Sequence, residues 1–121
     1  MPCPQLNQFA DLLASPLVFL SATDGAFALG RVIAGEAELL TIATDPDLRR
    51  QGLARRIMAE FDQAACARGA ENAFLEVAVT NAPAMALYAS CGWHKTGLRK
   101  AYYHAPDGSR IDAQIMGETL T

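Results

Sequence analysis

The hydrophobic positions of the chain change period several times. The clearest helical pattern predicts a helix from about residue 50 to 68, with Gly69 as its stop. Its apolar stripe consists of Leu53, Ile57, Phe61, Ala64 and Ala65. A shorter amphipathic pattern predicts a helix at 5–14. A third helix is expected to begin at Asn81, a residue type that caps helices, and to end before Gly92.

The other apolar runs predict strands. Three runs come first, at 17–22, 26–34 and 37–44, and are separated by turns at Asp24–Gly25 and Gly35–Glu36. The run at 73–79 is apolar almost throughout, which is typical of a strand covered on both faces. Two more strands follow, joined around Pro106-Asp107-Gly108. The order of elements predicts a mixed α/β sheet with helices on its faces.

Composition narrows the class of protein. The chain has 121 residues, 51% of them hydrophobic, which suits a single domain over 1–121. A net charge of −3 disfavours a general nucleic-acid-binding surface, and the apolar runs are too short for a membrane span. Cys3, Cys66 and Cys91 are odd in number and form no C-x-x-C pair. We therefore expect a cytoplasmic protein with no disulfide framework and no metal.

Basic residues cluster where the strand at 37–44 gives way to the next helix. Four of the ten Lys and Arg residues fall within eight positions there, around Gly52. The first N–H groups of a helix lack partners inside it, a glycine allows close approach, and the helix dipole attracts anions. The junction is therefore a candidate phosphate site. The alternative is a solvated helix start in which Gly52 only relieves packing.

Glu76 is a second candidate, because it stands inside the apolar run AFLEVAV. A carboxylate is expensive to bury without a reason. A partly desolvated glutamate can accept a proton from an amine. The alternative is a strand residue whose side chain faces outward.

Three motifs extend these two features. R-x-x-G-x-A covers Arg49 to Ala54, LEVAVTNAPAMALYASCGW covers 75–93, and GLRKAYYHAPDGSRIDAQIM covers 97–116. In this order and spacing they resemble the GNAT acetyltransferases, and in particular the RimI-like branch, which acetylates the N-terminal amine of a small-subunit ribosomal protein. The resemblance runs from about residue 26 to 117. It implies a mostly antiparallel, twisted α/β sheet with helices on both faces.

The resemblance also implies acetyl-CoA as cosubstrate. The end of the third strand would run beside the pantetheine arm, the arginine-rich junction would wrap the pyrophosphate mainly by main-chain amides, and Asn81 would touch the coenzyme from the opposite side. Asn81 is equally consistent with a plain helix cap. The implied coenzyme-binding residues are Ile42, Ala43, Thr44, Arg49, Arg50, Gln51, Gly52, Leu53, Ala54, Arg55 and Asn81.

For catalysis, Glu76 matches the family's general base and Tyr88 its general acid. A tyrosine on an apolar helix face is also an ordinary core residue. Tyr102 and Tyr103 resemble an aromatic pair that borders the substrate entrance. The mechanism is direct attack, so no nucleophilic role is assigned to Cys91.

The chain departs from the family before residue 5, where members usually carry another strand and helix. We expect either a start further upstream or a shortened domain whose exposed sheet edge favours a homodimer. Acceptor specificity stays open. The expected function is N-acetylation of an amine, foremost a protein N-terminus, without nucleic acid or membrane as partner. The alternatives are a small-molecule amine acetyltransferase and a non-catalytic CoA-binding module.

Overall fold

A computed structural model describes residues 16–45 and 52–120 of the protein. Within them the elements are β1 (Val18–Thr23), β2 (Ala26–Ile33), β3 (Glu36–Thr44), α1 (Leu53–Ala67), β4 (Asn72–Ala78), α2 (Ala82–Ser90), β5 (His94–His104) and β6 (Arg110–Thr119). The helix predicted at 5–14 and the candidate residues Arg49, Arg50 and Gln51 lie outside the described residues.

The six strands form one sheet in the order β1-β2-β3-β4-β6-β5. Every neighbouring pair is antiparallel except β3 and β4, which are parallel because α1 carries the chain back across the sheet between them. This confirms the predicted mixed, mostly antiparallel sheet. The last strand, β6, inserts between β4 and β5 and so separates two elements that are closer in sequence.

Two element boundaries differ from the predicted ones because residues beside them have positive φ. The second hairpin turn is at Ala34–Gly35, not Gly35–Glu36, and both residues have positive φ, 52° and 82°. Two residues of positive φ match the twist of paired strands, so Glu36 already pairs with Ile33. Helix α1 begins at Leu53, three residues later than predicted, because Gly52 is left-handed, with φ of 73°.

The core forms where α1 packs on β1, β2 and β3. The predicted stripe is confirmed in the buried side chains Leu53, Ile57, Phe61 and Ala65, with Ala64 half-buried. Phe61 stacks on Phe19 at a ring separation of 5.6 Å and meets Trp93 at 6.3 Å. Gly30 lies beneath this stack, where an added Cβ would come within 2.6 Å of both phenylalanine rings.

Candidate active site

The parallel pair β3 and β4 separates after a short contact. It is paired only over Glu36–Glu38 and Asn72–Phe74. Beyond these positions the end of β3, with Ile42, Ala43 and Thr44, pairs with β2 alone. The backbone groups that this segment turns towards β4 are therefore not used by the sheet, and they are available to an extended ligand.

Both helices begin at the mouth of this opening. Helix α1 follows the carboxyl end of β3 and helix α2 follows the carboxyl end of β4. Since the two strands are parallel, their carboxyl ends lie at the same edge of the sheet. The two helix N-termini therefore face the same region, which is where open α/β sheets bind ligands.

The N-terminus of α1 is open. Gly52 is its N-cap and supplies no side-chain cap, and the first helical hydrogen bond runs from the Arg56 N–H to the Gly52 carbonyl at 3.1 Å. The amides of Leu53, Ala54 and Arg55 therefore have no partner within the helix. A Cβ on Gly52 would meet no atom of the described residues within 4 Å, so these residues do not pack against the glycine. Its left-handed backbone accounts for a glycine at this position.

Two other predicted coenzyme residues have structural partners. The Arg55 guanidinium donates through Nη2 to the Ser90 carbonyl at 3.1 Å, which ties α1 to the last turn of α2. The Arg55 side chain therefore points to the C-terminal end of α2, and only the Arg55 backbone amide belongs to the N-terminus of α1. The Asn81 Oδ1 accepts from the Ala84 N–H at 3.3 Å, which confirms Asn81 as the cap of α2.

Glu76 lies on the half-buried side of β4. Burial alternates along this strand, with Leu75 and Val77 in the core and Glu76 on the opposite face, so the prediction that both faces are covered is wrong. The Glu76 side chain is 14% exposed and pairs through Oε1 with the Arg99 Nε at 2.9 Å. The carboxylate is therefore shielded from water but keeps a counter-charge.

Two tyrosines of β5 surround this ion pair. Tyr102 and Tyr103 are in edge-to-face contact at 5.0 Å, and the Arg99 guanidinium lies 5.4 Å from the Tyr102 ring centroid. The negative charge of Glu76, followed by burial, raises the pKa of Tyr102. Burial and then the Glu76 charge raise the pKa of Tyr103 to about 12. Both phenols are therefore neutral donors at neutral pH and lie close to the carboxylate.

Tyr88 is on α2 and is buried against Trp93, with ring centroids 6.2 Å apart. Burial, and secondarily Tyr103, raises the pKa of Tyr88 to about 12. Tyr103 is thus within electrostatic reach of both Tyr88 and Glu76. Tyr103 thus links the surroundings of the two predicted catalytic residues electrostatically.

Arg99 is the residue of this site that sequence reasoning missed. A glutamate in an apolar strand implies a counter-charge, and LRK at 98–100 offered one, but the strand that would face Glu76 was not determined by the pattern.

A break in β5 pairing between Arg99 and Tyr103 contains Ala101, whose φ is 55°. Asp112 Oδ1 accepts from the Ala101 N–H at 2.8 Å, so β6 holds this bulge.

Two features are absent from the described residues. No helix among them is long and apolar enough to cross a bilayer. No group of three or more His, Cys, Asp or Glu side chains in the described ranges is placed to hold a metal ion.

The parallel strands β3 and β4 separate in front of the N-terminus of α1. This is the arrangement that the resemblance to the acetyltransferases implies for coenzyme binding. Residues 7–93 match the Acetyltransferase (GNAT) family, and the chain belongs to this family. The predicted membership and its RimI-like character are confirmed.

Two curated relatives are named as N-acetyltransferases. The chain is 44% identical over 91 residues to the [Ribosomal protein bS18]-alanine N-acetyltransferase of Escherichia coli, a match that covers 75% of this chain and 61% of that protein. It is 40% identical over 88 residues to the N-alpha-acetyltransferase RimI of Mycobacterium tuberculosis, covering 73% and 52%. The chain thus spans about three fifths of the curated E. coli relative.

The fold agrees with a solved structure. The crystal structure of the ribosomal-protein-S18-alanine N-acetyltransferase from Escherichia coli superposes with a TM-score of 0.82 at 35% identity, covering 95% of this chain and 76% of that one. The sheet and its two helices are therefore those of the family.

Proposed function

We propose that this protein transfers the acetyl group of acetyl-CoA to the N-terminal amine of a protein, most closely that of a ribosomal protein. The observation that carries the proposal is the separation of β3 from β4 in front of the open N-terminus of α1. This geometry offers unpaired strand backbone for an amide-containing arm and free amides for phosphates, side by side. The names of the relatives support the acceptor class.

The coenzyme site follows from the groups that are left open. The amides of Leu53 and Ala54 and the helix dipole suit a pyrophosphate, and Gly52 keeps the approach clear. The segment Ile42–Thr44 would hydrogen-bond the pantetheine amides as an added strand would. A backbone N–H of the same segment, aimed at the thioester oxygen, would stabilise the charge that develops there.

Glu76 supplies the base. An N-terminal amine with a pKa near about 8 is mostly protonated at neutral pH and must lose a proton before it attacks. The Glu76 carboxylate takes this proton directly or through water, and the neutral nitrogen then bonds to the acetyl carbonyl carbon. As the amide forms, the nitrogen loses its second proton to solvent. The carbon–sulfur bond breaks in the same reaction, which releases the coenzyme as a thiolate.

Tyr88 supplies the final proton. Burial keeps its phenol neutral, and a neutral phenol can donate to the departing sulfur. With a pKa of about 12 it is a weak acid beside a thiol near about 8.5, so proton donation contributes less than base catalysis does. No side chain needs to carry the acetyl group.

The test measures acetyl transfer from acetyl-CoA to N-terminal peptides and to small-molecule amines, with a reaction that lacks an acceptor as the blank. We expect turnover with peptides, lowered about 10²- to 10⁴-fold by Glu76→Gln, with coenzyme affinity unchanged. Glu71→Gln removes an exposed carboxylate and is the matched control. Preference for small amines would give the acceptor class to the alternative enzyme, and coenzyme binding without any turnover would leave a binding module.

A further inference from the structure

Arg99 covers the carboxylate that is proposed to act as the base. Its guanidinium contacts Glu76 from β5, and its side chain is 54% exposed whereas that of Glu76 is 14% exposed. The arginine is therefore the solvent-facing member of the pair. An amine that approaches Glu76 from solvent meets Arg99 first.

The acceptor and Arg99 present the same kind of charge. An N-terminal amine arrives largely as an ammonium ion, which seeks the same carboxylate oxygens that the guanidinium occupies. Two cations at one carboxylate repel each other in a site that is shielded from water. Binding of the acceptor at Glu76 therefore requires that the Arg99 contact be weakened or broken.

We propose that Arg99 is an exchangeable counter-ion for Glu76, which yields its place to the ammonium group of the acceptor. This inference rests on the proposed function and names the group that the acceptor displaces. In the free protein Arg99 holds the Glu76 side chain in place through the 2.9 Å contact. When the acceptor binds, the guanidinium moves aside, and the acceptor then loses its proton to the carboxylate that it has reached.

The surroundings of the ion pair allow this exchange. The Tyr102 ring already lies 5.4 Å from the guanidinium carbon, so the arginine keeps a cation–π partner after it leaves the carboxylate. Exposure of the arginine makes the contact weak enough to exchange, since exposed ion pairs contribute little.

Other charged groups do not supply a second cation. From β5, Tyr102 and Tyr103 face Glu76 as neutral phenols. From β3, Glu38 acts on Tyr102, and Glu38 is itself paired with Arg31 at 2.6 Å. On the β6 side Glu76 is opposite the apolar Ile115. Among the described residues that contact Glu76, the exchangeable charge is thus the Arg99 guanidinium.

The experiment compares Arg99→Met, Arg99→Lys and Lys100→Met with the unaltered protein. Lys100→Met removes the same charge one residue away on an exposed position and is the control. For Arg99→Met we expect the acceptor KM to fall about two- to fivefold, the size of an exposed ion pair. Arg99→Lys should restore most of the original KM.

A second readout does not depend on turnover. Addition of alaninamide, an α-ammonium compound without a carboxylate, should move the Arg99 Nε resonance of the unaltered protein and leave that of Arg110 in place.

The outcomes separate the two proposals. Turnover with an unchanged acceptor KM and only a lower Tm in Arg99→Met would make the pair merely structural and overturn the counter-ion. A rise in KM would also overturn it, because Arg99 would then bind the acceptor. The NMR shifts without turnover on any acceptor would leave the counter-ion standing and remove the proposed function.

Discussion

Two carboxyl groups meet between α1 and β6, and they predict how stability depends on pH. Asp62 and Glu118 lie close enough to perturb each other's pKa, and one oxygen of each is buried without a donor among the described residues. Two carboxyl groups can share a hydrogen bond only when one of them is protonated. The folded protein therefore holds a proton at this pair.

The sign follows from where that proton is held. Burial first, and then the hydrogen bond and charge of Asp62, raise the pKa of Glu118 from 4.5 to about 8. Burial also raises the pKa of Asp62. From about pH 4.5 to 8 the folded state keeps a proton that the unfolded chain releases, so stability falls as pH rises. It is greatest below the unfolded pKa, and the loss ends above the folded one.

The magnitude is bounded by one proton. One proton corresponds to about 1.4 kcal/mol per pH unit, or about 2.8 kcal/mol between pH 5.5 and 7.5. The pair is half-buried, and water around it relaxes part of this strain. We therefore expect about 1.5 kcal/mol of the unfolding free energy to be lost over that range.

Glu118→Gln tests this directly, because glutamine keeps the shape, cannot ionise and donates to Asp62. Urea unfolding is followed by the fluorescence of Trp93, the one tryptophan. In the variant, the contribution of this position to the unfolding free energy should be nearly independent of pH. The variant should be about 1.5 kcal/mol more stable than the unaltered protein at pH 7.5. Glu71→Gln is the control. An equal loss of stability with pH in Glu118→Gln and the unaltered protein would refute the shared proton.

Three further predictions concern single positions. Gly30→Ala should destabilise the fold by about 1–3 kcal/mol in urea unfolding, because its Cβ would lie 2.5 Å from the Phe19 ring, whereas Gly97→Ala meets its nearest atom at 3.5 Å and should be neutral. Gly52→Asn should weaken acetyl-CoA binding at least about tenfold by calorimetry, since asparagine tolerates positive φ but its side chain occupies the approach to the helix N-terminus. Gly69→Asn, the control, should leave the affinity unchanged, and equal affinities of the two variants would exclude the phosphate site. Tyr88→Phe should slow turnover about 10- to 10³-fold with an unchanged Tm, while normal turnover with a lower Tm would make Tyr88 a core residue only.

Much of the fold could be predicted because its signals are local. The apolar stripe of α1 repeats with the helical period, Asp24–Gly25 turns the first hairpin, and the Asn81 side chain caps α2 within three residues. Each of these depends on neighbours in the sequence. The family motifs are likewise contiguous stretches, which is why the chain alone offers Glu76, Tyr88 and Gly52 as candidate residues.

The contacts around the candidate base needed the tertiary structure. Arg99 reaches Glu76 because β6 pairs with β4 on one edge and β5 on the other, and the bulge at Ala101 then sets where the tyrosines lie. Strand order is decided by which arrangement buries the most apolar surface with every inner backbone group paired. No local pattern encodes that comparison.

The same division explains the carboxyl pair and the opening between the parallel strands. Asp62 and Glu118 each look like an ordinary surface acid in the sequence, and 55 residues lie between them in the chain. The sequence alone determined the periods, the turns, the caps and the residue types that can carry acetyl transfer. Only the tertiary structure decided which charges face each other and where β3 leaves β4, because these depend on long-range packing and not on neighbouring residues.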